Sequence, residues 1–216
     1  MKRRIAAALV AVMLAGMLIP ASALAAERRV KSLDPDGRAP AKWNLAKPQK
    51  TPHPDVAPPS ASGSGDGFNR MSFTWFDSGD IVVVLGTSTG HAGVFDRSRY
   101  VSLNSYAVLS ANTSPKNGVQ YETCVKYRGY DEAYGLWMPR KYTYGTSVRD
   151  YCRAQLNKPY SIGSSKTDER SWYCSKLAWA GWYRRTGLDL DADGGYWVWP
   201  IDLVNSSETI SFGHWI

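Results

Sequence analysis

The chain has 216 residues, a formal net charge of +7 and 44% hydrophobic residues. That is enough for one domain with a sizeable core, and scattered Lys and Arg without a recognition motif set aside a nucleic-acid binder. Three histidines and three cysteines, none at zinc-ligand spacing, leave few catalytic pairings and no zinc site.

Residues 1–25 read as a secretory signal peptide. Lys2, Arg3 and Arg4 open it, Ile5 to Ile19 is an apolar run, and Ala23-Leu24-Ala25 supplies small residues for cleavage after Ala25. No later segment is long and apolar enough to span a bilayer. Losing those three basic residues lowers the charge from +7 to +4, which suits an anionic surface such as a bacterial wall. The expectation is a secreted, wall-associated monomer. Export also exposes the cysteines to oxidation. Cys124–Cys152 is the expected bridge, with two buried free thiols as the alternative, and Cys174 is left over.

Residues 26–66 read as a disordered linker. Seven of the twelve prolines fall there, and Ser60 to Gly67 is almost all Ser, Ala, Gly and Asp, too little apolar surface to offset the entropy of ordering. His53, in this stretch, is expected to be solvated.

The folded domain is expected over 67–216. Met71–Phe76 is a strand or an aromatic lead-in, and Asp77-Ser78-Gly79 a turn. Strands are predicted at Asp80–Leu85, His91–Phe95, Tyr106–Ala111, Val119–Tyr127 and Tyr134–Pro139. Thr146–Leu156 reads as a helix. A second helix, capped by Ser171, runs to about Arg185 and closes at Gly187. Pro200–Asn205 is a short helix and Glu208–Phe212 a last strand. Strands in one block followed by helices argue for an α+β fold, an antiparallel sheet packed against the helix that carries the cysteine.

Cys174 lies in the first turn of that helix, where Cys174, Leu177, Ala178, Gly181 and Trp182 form one stripe facing the sheet. The position suits a buried core thiol, or a thiolate stabilised by the helix dipole and a nearby cation. His91 opens a strand between Gly90 and Ala92-Gly93, small neighbours that leave room beside the ring. Val108, Ser110 and Asn112 share a face of the next strand, so Ser110 or Asn112 could accept the imidazole N–H. Asp80 either steadies a turn or positions the site. Tyr173 and Trp197 are candidate substrate contacts. Asp189 to Gly194 imitates the start of a calcium loop, but the closing position holds Pro200 where a bidentate carboxylate is required. No metal or cofactor is expected. His214 is expected to be exposed.

Gly-Asp-Ile-Val (Gly79–Val82), Gly-His-Ala-Gly-Val (Gly90–Val94) and Tyr-Cys-Ser-Lys-Leu-Ala-Trp (Tyr173–Trp179), in that order, resemble the circularly permuted branch of the NlpC-type papain-like cysteine peptidases and amidases, the YiiX-like and YycO-like proteins. Lys158-Pro159-Tyr160, Gly187-Leu188-Asp189-Leu190 and Trp199-Pro200-Ile201-Asp202-Leu203 agree in order, and the resemblance covers roughly residues 76–212. It implies a permuted papain-like fold and a Cys174–His91 hydrolase. In many relatives the third strand carries a glutamate where this chain has Ser110. The expected activity is thioacyl hydrolysis of an amide, with cell-wall peptides as substrate. A lipid or acyl-ester hydrolase or acyltransferase, and a non-catalytic wall-binding module, are the alternatives.

Overall fold

The computed structural model describes residues 69–86 and 89–216. The expected signal peptide, the expected linker and His53 lie outside them. Six strands form one antiparallel sheet: β1 (Ile81–Leu85), β2 (His91–Phe95), β3 (Tyr106–Asn112), β4 (Gly118–Thr123), β5 (Glu132–Trp137) and β6 (Ile210–Trp215), in the order β4-β3-β2-β1-β5-β6. The helices are α1 (Cys124–Arg128), α2 (Gly145–Arg153), α3 (Cys174–Thr186) and α4 (Pro200–Asn205). The chain is therefore α+β. Among the described residues no helix is long and apolar enough to cross a membrane.

The period-2 alternation of the strands feeds two separate cores. Ile81, Val83, Ala92, Val94, Leu109 and Ala111 pack with Val148, Leu177, Trp182 and Leu203 from α2, α3 and α4. On the other face Val82, Val84, Phe95 and Val108 pack with Met71, Phe73 and Phe76 and with Tyr127 of α1. Met71–Phe76 is thus an aromatic lead-in that seals the second face.

Three of the boundaries that differ from expectation show what moved them. The strand predicted over Val119–Tyr127 ends at Thr123, and Cys124–Arg128 turns into α1. There the backbone N–H of Cys124 and of Val125 bond back to Ser105 and Leu103. α3 is capped by the extended Tyr173, not by Ser171, and Tyr173 gives no side-chain cap. The last strand runs on to Trp215 because Ala133 and Tyr134 pair with Trp215 and His214. Its His214 bonds Glu132 at 2.8 Å.

Two close approaches set the helices on the sheet. Gly79, at φ +94°, lies so near Gly145 that a Cβ on it would sit 2.3 Å from the Gly145 Cα. Trp182 Nε1 donates to the Gly79 carbonyl at 3.0 Å, fixing α3 over the same turn. Arg149 of α2 donates to the fully buried Asp96 at 2.7 Å, which also accepts from the Tyr121 hydroxyl. That paired charge docks α2 beside the end of β2.

The Cys124–Cys152 bridge is not formed. Both thiols are free and buried, and they belong to different cores on opposite faces of the sheet. Cys152 packs under α3, with Sγ 3.5 Å from the Leu177 carbonyl.

Candidate active site

The site lies where the sheet opens. β2 and β3 pair only at Val94–Leu109 and Phe95–Val108, so the ladder stops short of His91–Gly93. The Ala92 groups there still need partners. Ser110 Oγ donates to the Ala92 carbonyl at 2.6 Å, and the Ala92 N–H donates to Cys174. In this gap the thiol, from the helix-covered face, meets an imidazole from the other face.

His91 is buried, stacked on Tyr127 with ring centroids 5.5 Å apart. Its Nε2 lies 2.7 Å from Glu122 Oε2 and 3.2 Å from Ser110 Oγ, which leaves Nδ1 for the thiol. Gly93 makes this arrangement possible, since a Cβ there would sit 2.7 Å from the Tyr127 hydroxyl.

Glu122 is the carboxylate that the sequence reading did not find. It projects from β4, one strand beyond Ser110, and its side chain is 1% exposed. Oε2 accepts from His91 and from the Tyr127 hydroxyl at 2.7 Å. Oε1 accepts from Asn112 Nδ2 at 2.8 Å and pairs with Lys126, four residues on in α1. Burial alone would raise its pKa, but the His91 and Lys126 charges and their hydrogen bonds bring it down to about 2. Ser110 therefore touches the imidazole as a secondary acceptor. Asn112 does not reach His91 and holds Glu122 instead. The available signal was Glu122 alternating with Val119 and Tyr121. That placed a carboxylate on the same face as Ser110, but reading the strand through Tyr127 hid the turn that brings Lys126 and Tyr127 back to it.

Cys174 is partly exposed. Burial by its surroundings would raise its pKa. The His91 charge and hydrogen bond, with the N–H groups of Ala92 and Ser175, outweigh that and hold the thiol below its ordinary range. Burial would likewise lower the His91 pKa, yet the thiolate and Glu122 raise it to about 9. Both shifts favour the thiolate–imidazolium pair over the neutral one.

The residues around Cys174 clamp it. The Tyr173 hydroxyl accepts from the Val198 N–H at 3.1 Å, and Ser175 Oγ donates to the Val198 carbonyl at 2.6 Å. Lys176 is fully buried. Its ammonium donates to Ser164 Oγ at 2.6 Å and to the Ser171 carbonyl at 2.9 Å, and desolvation pushes its pKa down to about 8. Tyr-Cys-Ser-Lys thus ties the helix N-terminus to two loops.

The remaining candidates divide. Tyr173 is buried with its hydroxyl turned to the Val198 backbone, so it positions the loop. Asp80 lies at the far end of β1 from Val84, the residue paired with His91. Its carboxylate accepts the Asp77 N–H at 2.5 Å, so it steadies a turn away from the site. Trp197 is 37% exposed, donates to the Ile162 carbonyl at 2.8 Å, and forms a rim on the loop that Tyr173 and Ser175 hold. Asp191, Asp193 and Asp202 could hold a metal ion, their ligand oxygens lying within 4.8 Å of one another.

An α+β chain with a helix-borne thiol and a strand-borne imidazole is the class that the fold and site define. No protein-family model matches it. Its structure superposes on the crystal structure of the metalloprotein YiiX from Escherichia coli O157:H7 with a TM-score of 0.50 at 13% identity, covering 63% of this chain and 96% of that one. The two share a fold. The uncharacterized protein YycO of Bacillus subtilis (strain 168) is 32% identical over 68 residues, 30% of this chain and 28% of that protein's length. The chain is thus a distant relative of YycO with the fold of YiiX.

Proposed function

We propose that this protein is an exported cysteine hydrolase, an amidase or endopeptidase of permuted papain-like design, acting on cell-wall peptides. The reading rests on one observation: Cys174 at a helix N-terminus, bonded to His91, whose other nitrogen bonds the buried Glu122. Nucleophile, base and orienting carboxylate are the constellation that acyl transfer requires.

The thiolate attacks the carbonyl carbon, forming a C–S bond and an oxyanion. The Cys174 N–H, at a helix start without a side-chain cap, is positioned to donate to that oxygen. The C–N bond breaks as imidazolium protonates the amine. His91, now neutral, takes a proton from water, and the hydroxide cleaves the thioester to release the acid and restore the ion pair. The expected export signal and the mildly basic charge of the chain support wall peptides as the substrate.

The test is incubation of the protein with peptidoglycan fragments and, separately, with acyl esters, products being identified by mass. Peptide cleavage lost in Cys174→Ala supports the reading. Cleavage of esters alone replaces the substrate. A Cys174 that resists iodoacetamide at pH 7, with no product from either, rejects the hydrolase in favour of a wall-binding module.

A further inference from the structure

We infer that Asp191, Asp193 and Asp202 form a binding site for a divalent cation of the calcium class, closing the loop between α3 and α4. The Asp-x-Asp-x-Asp-Gly run from Asp189 to Gly194 opens this site, apart from the thiol chemistry. In a twelve-residue calcium loop a carboxylate closes the sphere at the last position, which is Pro200 here. The fold supplies that carboxylate two residues later. Pro200 starts α4, and the helix brings Asp202 back over the loop, so that one oxygen each from Asp191, Asp193 and Asp202 falls within 4.8 Å of the others.

A second observation asks for a ligand there. The Asp191 side chain is 1% exposed, and its Oδ1 is buried without a hydrogen-bond partner among the described residues. A buried carboxylate oxygen left so is costly. Lys166 pairs with the other oxygen only, so three carboxylates face one ammonium. Asp202 and Asp193 are each held by one backbone donor, from Trp199 at 2.7 Å and Gly195 at 2.7 Å, which orients them and leaves acceptor capacity on both. Asp189 is committed elsewhere: its Oδ1 accepts from Trp179 Nε1 and from the Asp191 N–H. The donors are all carboxylate oxygens, with no sulfur or imidazole, the set that hard cations take. Gly194, at φ +70°, lets the loop turn under the cluster.

The cation would brace the segment that carries Trp197 and Val198, and Val198 is the clamp on Tyr173 and Ser175 beside Cys174. Binding is thereby coupled to the order of the site's rim.

The experiment uses the chelator-treated full chain. Terbium is added and its luminescence excited through tryptophan, since Trp197 and Trp199 lie on the loop; calcium then competes. The expected result is sensitised emission displaced by calcium with a Kd on the order of 10⁻⁴–10⁻³ M, the range of extracellular calcium modules. Saturating calcium should raise the Tm by about 3 °C. Asp193→Asn, at an exposed position, and Asp191→Asn should each weaken binding about tenfold or more with an unchanged far-UV spectrum, and Glu208→Gln, outside the cluster, should not. Absence of calcium-displaceable emission up to about 10 mM calcium, or emission that survives both Asp191→Asn and Asp193→Asn, overturns the site. Displacement by magnesium at the same concentration overturns the calcium class. If Asp191→Asn fails to fold, Asp193→Asn decides.

Discussion

At the scale of single residues the decisive side chain is Glu122. Its negative charge, reached through His91 Nε2, adds to that of the Cys174 thiolate in raising the imidazole pKa, and the raised imidazole in turn favours the thiolate. Glu122→Gln keeps the shape and removes the charge, so the His91 pKa falls and the Cys174 pKa rises. The rate of iodoacetamide alkylation against pH should then shift to a higher midpoint. Turnover should fall by about 10²–10⁴, the range seen when an orienting carboxylate is neutralised. The same substitution has a stability signature. The folded pKa of Glu122 is depressed from 4.5 to about 2, so its contribution is present above pH 4.5 and lost as pH falls through 2. Urea unfolding across that window should lose part of its pH slope in Glu122→Gln. Ser110 predicts a contrast. Ser110→Ala removes a secondary acceptor and the bond to the Ala92 carbonyl, and should cost about 1 kcal/mol with a small effect on rate. Ser110→Glu sets a second carboxylate beside buried Glu122 and should destabilise by about 3 kcal/mol in urea unfolding. A gain in rate from Ser110→Glu would mean that Glu122 does not act on His91.

Among the elements, α3 is held by its neighbours more than by its own amphipathic stripe. Every residue from Ser175 to Trp182 is buried, because the sheet covers one side and α2 with the 161–172 loop covers others. Two glycines separate close approach from conformational need. Gly79→Ala drives a Cβ into the Gly145 backbone at 2.3 Å and adds positive-φ strain, and it should cost about 3 kcal/mol or more. Gly187, the C-cap of α3 at φ +76°, has nothing within 4 Å of a Cβ. Gly187→Ala should therefore cost only the left-handed penalty of about 1 kcal/mol. Thermal or urea unfolding of the two variants checks the order, and equal losses would mean that the start of α2 does not approach the Gly79 turn as described.

For the molecule as a whole, the two-core sheet decides the state of the thiols. Cys124 and Cys152 are separated by the sheet, and burial pushes both thiols well above their ordinary pKa, whereas Cys174 is lowered and partly exposed. Native protein should show one thiol that reacts fast with iodoacetamide at pH 7 and two that do not. Unfolding without reductant should then release all three as free thiols. A count of one after unfolding would restore the disulfide and contradict the packing of Cys152 under α3.

By itself the sequence determined what depends on local pattern. The β-branched run at Ile81–Leu85, the aromatic lead-in and the helical stripe of Cys174, Leu177, Ala178, Gly181 and Trp182 follow from periodicity, and the order of the motifs placed His91 ahead of Cys174. Tertiary structure decided what depends on neighbours distant in sequence. β2 and β3 part before His91, and only that gap lets a thiol from one face meet an imidazole from the other. The carboxylate at that imidazole comes from β4, where strand pairing sets Glu122 against Val108, a register that alternation alone does not give. Asn112 and Tyr173, plausible by position, are each turned to a different partner, Glu122 and the Val198 N–H. Asp202 reaches Asp191 and Asp193 only because a helix begins at Pro200. In each case the residue types were visible in one dimension, and the contact was fixed by pairing register and helix direction, which act across the whole chain.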